Sequence, residues 1–264
     1  MKLAALATAA AWTTLAPAHA RAGEAACWFE QGVVVVPASI AGLAGDYILD
    51  TGTAVTQLHE TKAQGAGLVG ANQVGDVKIA GLTLPGHPFT IVDLDARTWA
   101  FPTPIAGVIG ADLLSGYVVD VSFAPCRVGI HRPGKARAFH SEIVLPLKRG
   151  VGVAVARAAV ADGRKALAGD FVIATGADTP IRLVEPLALV PGVPKEEDIL
   201  PSGGKRAKLR AASFAGVLFE NLDSGLTKDV PAAVSGVVGA PLLSHWRLRF
   251  DFPRGRLFLA RPAS

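Results

Sequence analysis

"YILDTGTAVTQL", residues 47–58, is the stretch on which the reading of this chain turns. An apolar run enters Asp50-Thr51-Gly52, a short polar step that ends a strand in a turn. The chain says nearly the same thing again as "FVIATGADTPIRL", residues 171–183, with Ala174 where the first copy has Asp50. Thr175 and Gly176 repeat Thr51 and Gly52. The frame of a site is written twice and its acid once.

Working outward, a second echo is stronger still. "GVIGADLLS" from Gly107 and "GVVGAPLLS" from Gly236 agree at seven of nine positions. Gly110 follows Asp50 by 60 residues and Gly239 follows Ala174 by 65. A period of about 125 residues is too long for a solenoid and indicates a duplicated lobe. Each half repeats the same order of parts. "GVVVVPASIAGLAGDYILDTG" and "GVGVAVARAAVADGRKALAGDFVIATG" read as paired β runs broken at glycine turns, with Asp162-Gly163 as a turn signal. "DVKIAGLTLPGHPFTIVDLD" and "AKLRAASFAGVLFENLD" read as hairpins, and "ADLLSGY" and "APLLSHW" as single helical turns. Strands end each half, and the basic, Pro-Gly-containing "HRPGKARAFHSE", residues 131–142, separates them. Ligand sites favour the cleft that such paired lobes leave.

LDTG after an apolar strand, GVIG some sixty residues on, and a degenerate second copy of both resemble the aspartic peptidase clan, in particular its bacterial retropepsin-like and pepsin-like members. The resemblance covers nearly all of the chain after the first twenty residues. It implies a mainly β fold of two homologous aspartic-protease-like β-barrel lobes, residues 21–135 and 136–264, with a cleft between them and short helices. In that family each lobe donates one Asp. The two carboxylates share a proton, because two like charges about 3 Å apart cannot both ionise. One takes a proton from water and the other donates to the scissile carbonyl. The resemblance makes Asp50 the catalytic aspartate. Thr51 and Thr175 become hydroxyls reaching across to the partner loop, and Gly52 and Gly176 close-approach positions. Asp178 occupies the place of a residue that contacts substrate backbone; the first half has Ala54 there. An extended peptide would add strand-type hydrogen bonds under the "KIAGLTL" hairpin, which puts Gly81 among the substrate-binding residues.

Ala174 departs from the pattern, since a methyl group holds no proton. A lone Asp50 orients a water but supplies no acid, and a general acid is worth about 10²–10⁴-fold. The expectation is a peptide-binding relative that is catalytically weakened or inactive, monomeric as an intrachain pseudo-dimer, in which Ala174→Asp alone restores cleavage. The alternative is an active aspartic endopeptidase in which two chains bring two Asp50 residues together.

Composition narrows the rest. Half of the 264 residues are hydrophobic and 18% are charged, so the chain is ordered. A formal charge of +4 is too mild for nucleic acid, and "KRAKLR", residues 205–210, reads as a solvated face. "MKLAALATAAAWTTLAPAHA", residues 1–20, has the shape of a secretory signal peptide, which predicts a secreted or periplasmic protein, and no later run is apolar enough for a membrane anchor. Cys27 and Cys126 suit a disulfide in that compartment, with two unrelated buried thiols as the alternative. The six histidines show no ligand spacing, so neither a metal nor another cofactor is expected. "GVGVAVA" superficially resembles a dinucleotide loop, but strand-like alternation follows it, and no Gly-x-Ser-x-Gly elbow is present.

Overall fold

The structure is a computed structural model and describes residues 23–148, 152–184, 206–228 and 230–262. The predicted signal peptide lies outside the described residues. The first half opens with β1 (Glu24–Ala26), β2 (Trp28–Glu30), β3 (Val33–Ile40) and β4 (Leu43–Leu49). After the Asp50 loop come β5 (Gln57–His59), α1 (Glu60–Gly65), β6 (Asn72–Ile79), β7 (Leu82–Val92) and α2 (Asp95–Thr98). It closes with β8 (Ile105–Ile109), α3 (Ala111–Leu114), β9 (Val118–Phe123) and β10 (Cys126–His131). The second half runs β11 (Ile143–Pro146), β12 (Val155–Asp162), β13 (Lys165–Ala174) and β14 (Ile181–Leu183). It continues through β15 (Arg206–Phe214), β16 (Val217–Leu226), β17 (Gly236–Gly239), α4 (Ala240–Leu243), β18 (Arg247–Asp251) and β19 (Arg256–Ala260). No described helix is long and apolar enough to cross a membrane.

Turn chemistry fixes the hairpins. Ala41-Gly42, Ala80-Gly81 and Ala215-Gly216 each place two successive residues at positive φ, between 48° and 82°. That is the backbone of a two-residue hairpin turn whose twist matches its strands. These turns set the registers Ile40↔Leu43, Ile79↔Leu82 and Phe214↔Val217.

Each half closes into a six-stranded barrel. In the first, the strand order is β3-β4-β8-β5-β7-β6, and a β6–β3 pairing shuts the ring, with β2 added outside β3. In the second it is β12-β13-β17-β14-β16-β15. The repeated glycine stretches form the strands that cross behind the two loops. β8 lies parallel to β4, with Leu49 opposite Ile109, and β17 lies parallel to β13, with Ile173 opposite Val238. Glycine is required there because a Cβ on Gly107 would sit 2.2 Å from the Gln57 carbonyl, and one on Gly236 2.1 Å from that of Arg182. "ADLL" and "APLL" are the single helical turns that the sequence predicts.

A third sheet joins the lobes, in the order β1-β10-β9-β18-β19-β11. The equivalent strands β9 and β18 pair at its centre. Buried Arg249 donates to both carboxylate oxygens of Asp120 across that seam, at 2.6 and 2.7 Å. Cys27 and Cys126 form a disulfide that ties the N-terminal segment to this sheet.

Candidate active site

The two Thr-Gly loops meet at the centre of the molecule. Thr51 Oγ1 donates to the Ile173 carbonyl at 2.5 Å, and Thr175 Oγ1 donates to the Leu49 carbonyl at 2.6 Å. Each hydroxyl also accepts the backbone N–H of the other threonine, at 3.2 and 3.3 Å. Both threonines are fully buried, so this reciprocal set satisfies groups that water cannot reach.

The glycines explain how closely the loops approach. A Cβ on Gly52 would lie 2.5 Å from the Ala174 Cβ, and one on Gly176 2.6 Å from the Asp50 Cβ and Cγ. Asp50 therefore packs on the glycine of the opposite loop, and Ala174 packs on the glycine of Asp50's own loop. Positions 50 and 174 occupy matching places about a local two-fold. Both line a cavity of about 270 Å³ between the lobes.

Asp50 is 4% exposed and its carboxylate is crowded with donors. Oδ1 accepts from the N–H groups of Gly52 and Gly176, at 2.8 and 3.2 Å. Oδ2 accepts from Thr53 Oγ1 at 2.7 Å and from Arg97 Nη2 at 2.6 Å. Arg97 comes from α2 and spans the lobes, giving Nη1 to Thr53 Oγ1 at 3.1 Å and Nη2 to the Gly176 carbonyl at 3.0 Å. Burial alone would push the Asp50 carboxyl up. The Arg97 charge, with the bonds from Thr53, Gly52 and Arg97, outweighs it and holds the group below the usual carboxylate range.

No family model matches the chain, and no curated protein sequence does. A solved structure with the same arrangement of lobes is that of the aspartic proteinase from Irpex lacteus, at a TM-score of 0.54 and 12% identity over 91% of this chain and 97% of that one. The fold is that of an aspartic proteinase.

Within this aspartic-proteinase fold, Asp50, Thr51, Gly52, Ala174, Thr175 and Gly176 come together. Asp178 also lines the cavity, where its carboxylate is bound by Arg182 and by Thr179 Oγ1. Gly81 is placed elsewhere and corrects the expected cover of the cleft. It forms the β6–β7 turn, whose Ala80 carbonyl accepts the N–H of Gly23, and no residue of that hairpin lines the cavity. The reason is the β6–β3 pairing, which lays the hairpin along the barrel wall. Residues 93–101 lie at the cavity instead, contributing Asp93, Leu94, Ala96, Arg97 and Phe101.

Arg97 is the residue that sequence reasoning missed. Its only signal is an isolated cation in "DLDARTWAF", and nothing in a linear pattern aims it 47 positions back. A second grouping was equally hidden. His59, Asp93 and Asp95 bring ligand-type atoms within 4.8 Å of one another. His59 Nδ1 accepts the Thr61 N–H at the start of α1 and its Nε2 lies 3.1 Å from Asp95, so the ring serves as a helix cap that anchors α2.

Proposed function

We propose that this chain is an exported protein that uses the aspartic-proteinase fold to hold extended peptides in the interlobe cleft without hydrolysing them. The observation that carries the reading is the Arg97–Asp50 ion pair facing Ala174. Aspartic hydrolysis needs one carboxylate to take a proton from water and a second, protonated, to donate one to the carbonyl oxygen. Asp50 is ionised and its two oxygens already accept four hydrogen bonds, which leaves no good position for an attacking water. Arg97 cannot act as the acid, because a guanidinium does not release its proton in this setting. Ala174 has none to give.

The cleft retains the means to bind. Val33, Ile48, Leu94 and Phe101 wall it on one side, and Val172, Ala177 and Val237 on the other. Apolar peptide side chains suit those walls, and the Asp178–Arg182 pair offers a polar contact at the rim. An active dimer built from two Asp50-bearing lobes would first have to break the Thr51–Thr175 bonds that this chain makes within itself.

Four proteins test the reading: the natural chain, Asp50→Ala, Ala174→Asp and Ala174→Asp with Arg97→Gln. Cleavage of an unfolded protein at acid pH and binding of a labelled peptide are measured on each. The expected result is peptide binding without cleavage by the natural chain, and cleavage only by the double variant. The sequence expectation that Ala174→Asp suffices is revised, because Arg97 would bind the restored pair and displace its shared proton. Cleavage by the natural chain that disappears in Asp50→Ala would overturn the proposal.

A further inference from the structure

The sheet that joins the lobes has a second face that the cleft does not use. One face of its central strands is core: Val119, Val121, Val128, Ile130, Leu248 and Phe250 are buried. Period-two alternation sends Asp120, Ser122, Arg127, Gly129, Arg247 and Arg249 to the other side. Arg127 is directly opposite Ser122, and Arg249 is opposite Asp120. Arg247, two residues before Arg249, falls beside Ser122 on the far strand. A serine hydroxyl is thus flanked by guanidinium-bearing positions on both neighbouring strands, each about 4.8 Å away.

The segment after β10 folds over this face and makes it a groove. Phe139 lies under two guanidinium carbons, 4.8 Å from that of Arg249 and 5.4 Å from that of Arg247. The Arg137 carbonyl accepts from Arg249 Nη1 at 2.6 Å. The result is a groove of about 340 Å³ lined by Ser122, Arg127, Gly129, Arg137 and Arg247 among others.

Its charge is unbalanced. Asp120 is neutralised by Arg249 through two bonds, with His131 Nε2 also 3.4 Å away. Glu24 is the other acid in the lining. Arg127, Arg137 and Arg247 have no carboxylate partner among the described residues; Arg247 gives its Nε only to the Arg261 carbonyl, at 3.2 Å. The Ser122 hydroxyl has no hydrogen-bond partner among them either. Arg127 and Arg247 flank one hydroxyl and Arg137 lines the same groove, so the groove carries an excess of positive charge that an anion would offset. A single carboxylate would be satisfied by one guanidinium fork. A phosphate, with two charges and oxygens pointing in several directions, accepts from three forks and a hydroxyl together.

We propose that this groove is a phosphate-binding site, taking the phosphate of a phosphate ester against Arg127, Arg137, Arg247 and Ser122. The site is on the opposite side of the joining sheet from its core face and is independent of the reading of the cleft.

The test is calorimetric titration of the full chain with inorganic phosphate at fixed ionic strength, alongside Arg127→Gln and Arg164→Gln. Arg127 is exposed and without a side-chain partner among the described residues, so its replacement leaves the fold intact. Arg164 sits in the β12–β13 turn of the other barrel and controls for net charge. Saturable binding is expected in the natural chain, weakened about tenfold or more in Arg127→Gln and unchanged in Arg164→Gln. Flotation with vesicles containing phosphatidic acid, whose headgroup is a phosphate monoester, distinguishes a lipid headgroup from a free ester. Vesicle binding that inorganic phosphate displaces assigns the site to a headgroup; phosphate binding without vesicle binding assigns it to a soluble ester. Absence of saturable phosphate binding, equal losses in the two variants, or vesicle binding that phosphate does not displace would each overturn the proposal.

Discussion

Asp50 and Ala174 occupy matching positions, and what separates their roles is one carboxylate and the arginine bound to it. Arg97 gives the site a permanent counter-charge where a dyad would hold a shared proton, so the Asp50 carboxyl ionises below its ordinary range. The consequence for stability has a definite sign. The folded value is depressed below the unfolded value of about 3.9, so the ionised group stabilises the fold above about pH 4, and this contribution is lost as pH falls through the folded value. Urea unfolding of the natural chain and of Asp50→Asn should therefore differ at pH 7, and the gap should narrow as the solution is acidified below pH 4. A gap that stays constant down to pH 2 would contradict the ion-pair account. Asp112 is held low in a similar way. Burial pushes it up, and the His87 ring nitrogen 3.3 Å away, with bonds from the Thr56 N–H and hydroxyl and the Leu113 N–H, outweighs this. It secures the far end of the Asp50 loop. Asp50, both threonines and both glycines were legible in the sequence because each is a repeated letter in a repeated frame. Arg97 has no repeated counterpart and was not.

At the scale of elements, strand and turn placement follow local rules, whereas the direction in which a hairpin leans does not. The β6–β7 hairpin was readable from its apolar alternation and its Gly81 turn. Its position was set by the pairing of β6 with β3, a contact between residues about forty apart in the chain. Gly81 has a φ of +74°. Gly81→Ala should lower stability by about 1 kcal/mol in urea unfolding and leave the peptide affinity proposed for the cleft within about twofold. A large loss of peptide affinity with stability preserved would return the hairpin to the cleft. The element at the cavity is the segment around α2. Leu94 is buried with Val33, Ile48 and Val108, and this small apolar cluster sets where Arg97 emerges.

Across the whole molecule, the two barrels are held together by the Thr51–Thr175 bonds within and the shared six-stranded sheet beneath. The disulfide closes a separation of 99 residues and anchors the N-terminal segment to that sheet. Replacing Cys27 and Cys126 with serine should cost about 3 kcal/mol of stability, measured by urea unfolding under non-reducing conditions. A loss under about 1 kcal/mol would show that β1 and β2 hold without it. The repeat, the two lobes, the paired loops and the alanine at the place of Asp50 in the second copy were all determined by the sequence itself. These properties depend on local periodicity, turn residues and self-similarity, which a linear reading retains. The pairing of β9 with β18, the capture of Asp50 by Arg97 and the arrival of Arg247 beside Ser122 were decided only in three dimensions. Each joins positions tens of residues or more apart through packing and charge, and no spacing rule connects such positions before the chain has folded.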